Sequence, residues 1–368
     1  MDIVALIPAY NEAESIASTI QALLLQERVP DKIVVIPNGC TDHTADIART
    51  FDVTVLELPK LEHKKSEALN IAWSQYAKTA DIVICLDADT TLPPNAVKDW
   101  EREFQGQPRR ALTDGVPTSR RPLGGSSSKF TMQGGDFLTR LQRAEFARWT
   151  DTALARGWTS VLAGTGCAIS GEALRQVVRM SDREGPWSYD SQVEDFELTY
   201  MIRKLGYRCQ VSPTVRAYTD SMKTVRALWG QRMKWQVGTV EDLLSIGVNR
   251  YTVIDWWQQA AGLFMAAMRL LWASLIIVMA MLGILQFQWF WWVAVPVIFV
   301  SIELYSALRI PHRDRIDVLF ACLILPAEIF SWLRSGWFVK AWIDVLVGRL
   351  TGNRKDRWQL QYAAESAS

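Results

Sequence analysis

The chain has 368 residues, with 40 Lys and Arg against 39 Asp and Glu and a formal net charge of +1. That balance excludes a bulk electrostatic case for nucleic acid as a partner. Five scattered cysteines, Cys40, Cys85, Cys167, Cys209 and Cys322, show no paired or metal-ligand spacing, which excludes a disulfide scaffold and fits a reducing compartment.

The chain opens with Asp2 where a secretory signal would be basic, and Pro8 follows a run of strand length. The amino-terminal part is therefore expected to be soluble, folded and cytoplasmic. Strands are predicted at 3–7, 32–36, 53–58 and 81–86, alternating with helices at 11–25, 41–51 and 65–77. Such alternation implies an α/β fold with a mostly parallel sheet and helices on both faces. Ligands then sit outside the carboxyl ends of the strands, where residues 8–12, 37–39 and 87–89 fall. Residues 118–135, rich in Gly, Ser and Arg, read as a loop, either a solvated connector or a flap that closes over substrate. Helical periodicity resumes at 138–154, a short strand is expected at 160–163, and a helix at 196–205 ends at Gly206.

The last third changes character. Residues 262–285 are apolar except for Arg269, and residues 289–308 except for Glu303; each is long enough to span a bilayer. The connector at 286–288 is short and uncharged, whereas 309–315 is basic, so a hairpin with the basic segment in the cytoplasm is expected. Residues 317–332 contain Pro326 and Glu328. A full third span would place Arg349, Arg354, Lys355 and Arg357 outside, against the charge rule. A re-entrant or interfacial helix is preferred, running into 336–350 with Trp337, Trp342, Val345 and Leu346 on its apolar face; a third span is the alternative. Most of the 17 tryptophans fall from Trp229 onward, as expected where rings meet headgroups.

Three clusters carry the chemistry. Asp87 and Asp89 follow an apolar strand and offer hard oxygen ligands for a divalent ion on a diphosphate, although an Asp-x-Asp turn alone is weak evidence. Glu194 and Asp195 open a helix; a carboxylate there suits either proton abstraction or the helix dipole, which is worth about 0.3–1 kcal/mol. Gln231, Arg232, Lys234 and Trp235 place an amide, two cations and an indole within about one helical turn. Lys65 near a helix start suits contact with a nucleotide or diphosphate; alone it would read as an exposed basic face.

Taken in order, Pro8-Ala9-Tyr10-Asn11-Glu12, Asn38-Gly39-Cys40-Thr41-Asp42, the segment 65–70, Asp87-Ala88-Asp89, Glu194-Asp195 and the segment 231–235 resemble the membrane-embedded family 2 glycosyltransferases. These include the cellulose, chitin and hyaluronan synthases and related glycolipid glucosyltransferases. The resemblance covers roughly 1–240 by motif. It implies a GT-A fold, a nucleotide-diphosphate sugar donor, Mg2+ or Mn2+, and inversion at the anomeric carbon. By position it implies Asp195 as general base, Asp89 as metal ligand with Asp87 beside it, and Pro8, Tyr10, Glu12, Asn38, Lys65 and Asp87 at the donor. Gly164, Thr165, Glu194, Gln231, Arg232, Lys234 and Trp235 would serve the acceptor or diphosphate, with the indole under the acceptor sugar. Two departures stand out: Pro37 and Asn38 replace two usual acids, and Lys234 replaces an Arg before the signature Trp.

The expected division is a catalytic domain at 1–222, amphipathic interface helices at 223–258, membrane and interfacial helices at 259–350, and a cytoplasmic tail at 351–368. The expected protein is a multi-pass cell-membrane enzyme with its catalytic domain in the cytoplasm. It would move a sugar, from a UDP-sugar by preference, onto a growing polysaccharide. Single transfer onto a lipid acceptor is the alternative, favoured by the few spans; a homo-oligomer would supply a channel for the first. A nucleotide-sugar-binding membrane protein without catalysis is a third reading, encouraged only by Pro37 and Asn38.

Overall fold

The computed structural model describes residues 1–106, 121–286, 288–310, 313–352 and 356–365. Parts of four segments considered above lie outside the described residues: 118–120 of the proposed loop, 287 of the connector, 311–312 of the basic stretch, and 353–355 and 366–368 of the tail. The chain divides into two compact units, 1–133 with 149–221 and 134–148 with 222–368.

The first unit is built on β1 (Ile3–Ala9), α1 (Ile16–Leu24), β2 (Lys32–Pro37), α2 (Thr44–Ala48), β3 (Thr54–Val55), α3 (Lys64–Ala72), β4 (Ile82–Leu86), α4 (Ala96–Phe104), β5 (Leu123–Met132), the end of α5 (Phe137–Arg156), β6 (Gly166–Ser170), α6 (Gly171–Ser181), α7 (Glu194–Lys204) and β7 (Arg208–Thr219). A π-helical turn, Trp73–Ala77, continues α3. The seven strands form one sheet in the order β3-β2-β1-β4-β6-β5-β7. Strands β1 to β4 and the β5–β7 pair run parallel, while β6 is antiparallel to both of its neighbours.

Alternate residues enter opposite cores, as the pleat requires. On β1, Val4 and Leu6 join one cluster with α3, α6 and α7; Ile3, Ala5, Ile7 and Ala9 join another with α1, α2 and α4. Burial on both faces explains why these strands read as continuous apolar runs.

Two sequence expectations are corrected. Residues 123–132 form β5, not a loop, and its serines Ser126, Ser127 and Ser128 are buried. Glycine is required there by space: a Cβ on Gly124 would lie 2.5 Å from Ile202, and one on Gly125 would lie 2.2 Å from Leu162. Residues 160–163 form no strand; pairing starts at Gly166, opposite Leu86.

The second unit is helical: the start of α5, then α8 (Val225–Ile246), α9 (Val253–Met281), α10 (Trp289–Ala307), α11 (Arg315–Cys322), α12 (Ile324–Thr351) and α13 (Arg357–Glu365). Leu138 and Leu141 of α5 share a core with Leu228, Met233, Val237 and Val240 of α8 and Phe330, Trp337, Ala341 and Val345 of α12. The start of α11 is tied to α5 by charge: Arg140 donates to both carboxylate oxygens of Asp314 at 2.6 and 2.7 Å and to Asp317 at 2.8 Å. Asp314 and Asp317 also form a capping box.

Among the described residues α9 is the one helix long and apolar enough to cross a membrane. The apolar part of α10, Pro296–Ala307, is shorter, and α11 and α12 meet at a 77° bend, the geometry of a broken span or a re-entrant turn. The apolar face expected on α12 is corrected. Trp337 and Val345 are buried in the protein core, while Leu325, Ile329, Ile343, Leu346 and Leu350 form the exposed stripe.

Candidate active site

Because β1, β2 and β4 are parallel, the residues that follow them share one sheet edge. Because β6 is antiparallel to β4, its beginning lies at that same edge. Asp87, Asp89, Gly164 and Thr165 are thereby gathered from distant parts of the chain. Helix α3 brings Lys65, and α7 brings Glu194 and Asp195 in its first turn.

Lys65 is the hub. Its ammonium donates to Asp87 at 2.5 Å and lies 3.8 Å from Glu194. Burial alone would lower the Lys65 pKa, but Asp87, Glu194 and Asp195 more than reverse this, so the lysine stays charged. A Cβ on Gly164 would sit 2.9 Å from the Lys65 nitrogen, so glycine leaves the room that the ammonium occupies.

Asp195 accepts from the Gly164 N–H at 3.4 Å and from the Phe196 N–H at 2.8 Å. Burial, then the charge of Glu194, pushes its pKa up to about 6, against the pull of Lys65 and the two amides. A carboxylate so tuned is a competent base near neutral pH. Thr199 secures α7 locally, donating to the Asp195 carbonyl at 2.6 Å and accepting from the Leu162 N–H at 2.8 Å.

Asp89 accepts from Thr90 at 3.1 Å and Thr219 at 3.3 Å. Burial pushes its pKa up to about 7, with the charges of Asp87, Glu12 and Asp220 adding to the rise and the Thr90 hydroxyl opposing it. Crowded carboxylates of this kind suit a divalent cation, which relieves their repulsion. Among the described residues no group of three His, Cys, Asp or Glu side chains is placed to hold a metal. Two carboxylates such as Asp87 and Asp89 would leave the remaining ligands of an ion to phosphate and water.

Of the other residues expected at the donor, Pro8 lies within β1, paired with Ile36, and Tyr10 follows the strand half-buried. Glu12 accepts from Ser15 at 2.8 Å, and its charge reaches Asp89. The Asn38 side-chain oxygen accepts from the Leu61 N–H at 3.2 Å, so this oxygen braces the neighbouring loop. Gly39 has φ +64, and a Cβ there would lie 2.8 Å from the Lys60 backbone, so the turn requires glycine.

Residues 231–235 lie on α8, in the second unit. Arg232 is 3 % exposed and donates to Glu145 of α5 at 2.9 Å and to Gln231 at 2.9 Å. Its guanidinium lies 4.5 Å from the Trp235 ring centroid and 4.9 Å from that of Phe146. Lys234 is buried, with its ammonium 3.2 Å from the Trp358 ring centroid. Arg232 and Lys234 thus have protein partners of their own. Glu145 has no signal in sequence, being one acid on a helix with other charges. Glu145→Ala would strand the Arg232 cation in the core. A loss of about 3–5 kcal/mol in stability is expected, seen as earlier thermal unfolding of the full chain in detergent; an unchanged melt would remove the structural role.

Residues 2–238 match the model of a protein family described as glycosyltransferase like family 2. The chain is 26% identical over 243 residues to a poly-beta-1,6-N-acetyl-D-glucosamine synthase of Staphylococcus epidermidis, and 28% identical to that of Staphylococcus aureus strain COL. Each match covers 65% of this chain and 55% of the relative, so the chain spans about half the length of the curated relatives it matches. Among solved structures it resembles a mannosyltransferase from Pyrobaculum calidifontis in complex with GDP-Man and Mn2+, with a TM-score of 0.54 at 16% identity, covering 94% of this chain and 87% of that one.

Proposed function

The chain belongs to glycosyltransferase family 2 and has the GT-A fold, and from that premise we propose that it is an inverting membrane enzyme transferring a sugar from a nucleotide-diphosphate donor onto a growing polysaccharide. The observation that carries this reading is the constellation at the sheet edge: Lys65 between Asp87 and Glu194, with Asp195 held by the Gly164 amide. Asp195 takes the proton from an acceptor hydroxyl as its oxygen attacks the anomeric carbon from the face opposite the diphosphate. Lys65 supplies positive charge for the departing diphosphate. Asp89 and Asp87 would hold Mg2+ or Mn2+, which when bound would supply positive charge for the diphosphate. Tyr10, Glu12 and Asn38 line the donor side, and Gly164, Thr165 and Glu194 the acceptor side.

The names of the curated relatives put a UDP-linked N-acetylhexosamine first among the donors to be tried. Full-length protein in membranes, given a panel of labelled nucleotide sugars, should release nucleoside diphosphate and yield a product of polymer size. A product extended by one sugar on lipid would establish single transfer. That second reading is favoured by α9 being the one helix in the described residues that is long enough to cross a membrane.

In the membrane, α9 and α10 form the hairpin, and the bent pair α11 and α12 turns back without crossing, leaving α13 in the cytoplasm. A cysteine at the exposed Gln359, in a background without native cysteines, should resist an impermeant thiol reagent on intact cells and label after permeabilisation. Labelling on intact cells would require a third span.

A further inference from the structure

Residues 185–193 lead directly into α7, yet they contain no helix or strand, and Gly185, Pro186, Trp187 and Ser188 are all buried. Buried backbone without regular structure needs its hydrogen bonds from elsewhere. At Trp187 one side chain provides both. Asn70, 4 % exposed, accepts from the Trp187 N–H at 3.0 Å and donates to the Trp187 carbonyl at 2.8 Å. Its amide thereby takes the place of a neighbouring strand. A Cβ on Gly185 would lie 2.2 Å from the Asn70 oxygen, so the clamp also dictates glycine there.

The same stretch touches this segment at one further point and the start of α7 at another. His63, just before α3, stacks on Tyr189 with ring centroids 4.5 Å apart and planes 9° from parallel. Lys65 lies 3.8 Å from Glu194 while holding Asp87. His63 and Asn70 thus brace the loop, and Lys65 of the same stretch meets Glu194, the residue that follows it.

We infer that Asn70 is a positioning residue: through its clamp on Trp187 it fixes the loop that sets Asp195, so that α3 aligns the proposed base with the donor-side Asp87. The inference rests on the transferase reading for its kinetic consequence, but the clamp itself is testable without it. Both hydrogen bonds of the Asn70 amide given above go to Trp187, so a change there should act on the geometry of the loop.

The test compares full-length wild-type protein with Asn70→Ala in detergent. Hydrogen exchange should quicken about tenfold or more at amides 185–195 and little in the sheet. With a nucleotide-sugar donor and acceptor, kcat should fall about 10–100-fold, the scale of a misplaced catalytic group, while the donor KM stays near wild type. Gly185→Ala should give the same split. Unchanged exchange across 185–195 would overturn the clamp, whether or not the wild type proves to be a transferase. Wild-type transfer with kcat retained in Asn70→Ala, or lost only through a raised donor KM, would overturn the positioning role. If Asn70→Ala does not fold, His63→Ala, at an exposed position, carries the test: a kcat loss of about two- to fivefold at unchanged donor KM is expected, and wild-type kcat would overturn the role of α3.

Discussion

Asp195→Asn is expected to lower sugar transfer by about 10²–10⁴-fold while donor binding persists. The amide keeps the shape of the side chain but cannot take a proton from the acceptor hydroxyl. The wild-type pH profile should carry the same signature. Burial and Glu194 hold the Asp195 pKa up at about 6, and the base works only when ionised. Activity as kcat/KM, which reports the free enzyme, should therefore fall about tenfold per pH unit below that value and level off above it. Glu194→Gln removes a like charge, so the acidic limb should move to lower pH. Near wild-type turnover in Asp195→Asn would end the assignment of the base.

Asp89→Ala is expected to abolish transfer and divalent-metal dependence together. An ion on a leaving diphosphate contributes several kcal/mol to the transition state, so its loss should exceed about 10³-fold in rate. Burial, then neighbouring negative charges, push the Asp89 pKa up, and a cation is the natural partner for such a group. Asp87 is less exclusive, since Lys65 already holds it. The check is a chelator titration of both proteins with readback of Mg2+ and Mn2+. A wild-type enzyme fully active in chelator would remove the metal from the mechanism.

The sheet edge was legible because two independent signals met there: apolar runs marked β1, β2 and β4, and acids or turn residues followed each run. Lys65 and Asp195 were legible as residues but not as neighbours, since nothing local says that α3 and α7 meet. Strand β5 was hidden by composition. Its glycines and serines read as a loop, whereas Gly124 and Gly125 are there because neighbouring side chains leave no room for a Cβ. Glu145 was invisible because its meaning lies in Arg232, 87 residues away. Helix α12 carries two apolar faces, and periodicity cannot say which one the protein covers.

The shared core of α8 and α12 bears on how the chain is made. Helix α8 ends at Ile246, and the residues that cover its apolar side, Phe330, Trp337, Ala341 and Val345, lie on α12, which begins only at Ile324. At about 5–20 residues per second, the ribosome leaves that side without these residues for roughly 4–20 seconds. During this interval α8 has α5 but lacks α12, so part of its apolar side is available to a chaperone or to the bilayer surface. Membrane delivery that starts when α9 emerges would shelter it, so a nascent chain kept from the membrane should aggregate through α8 even though its catalytic unit has already been synthesised.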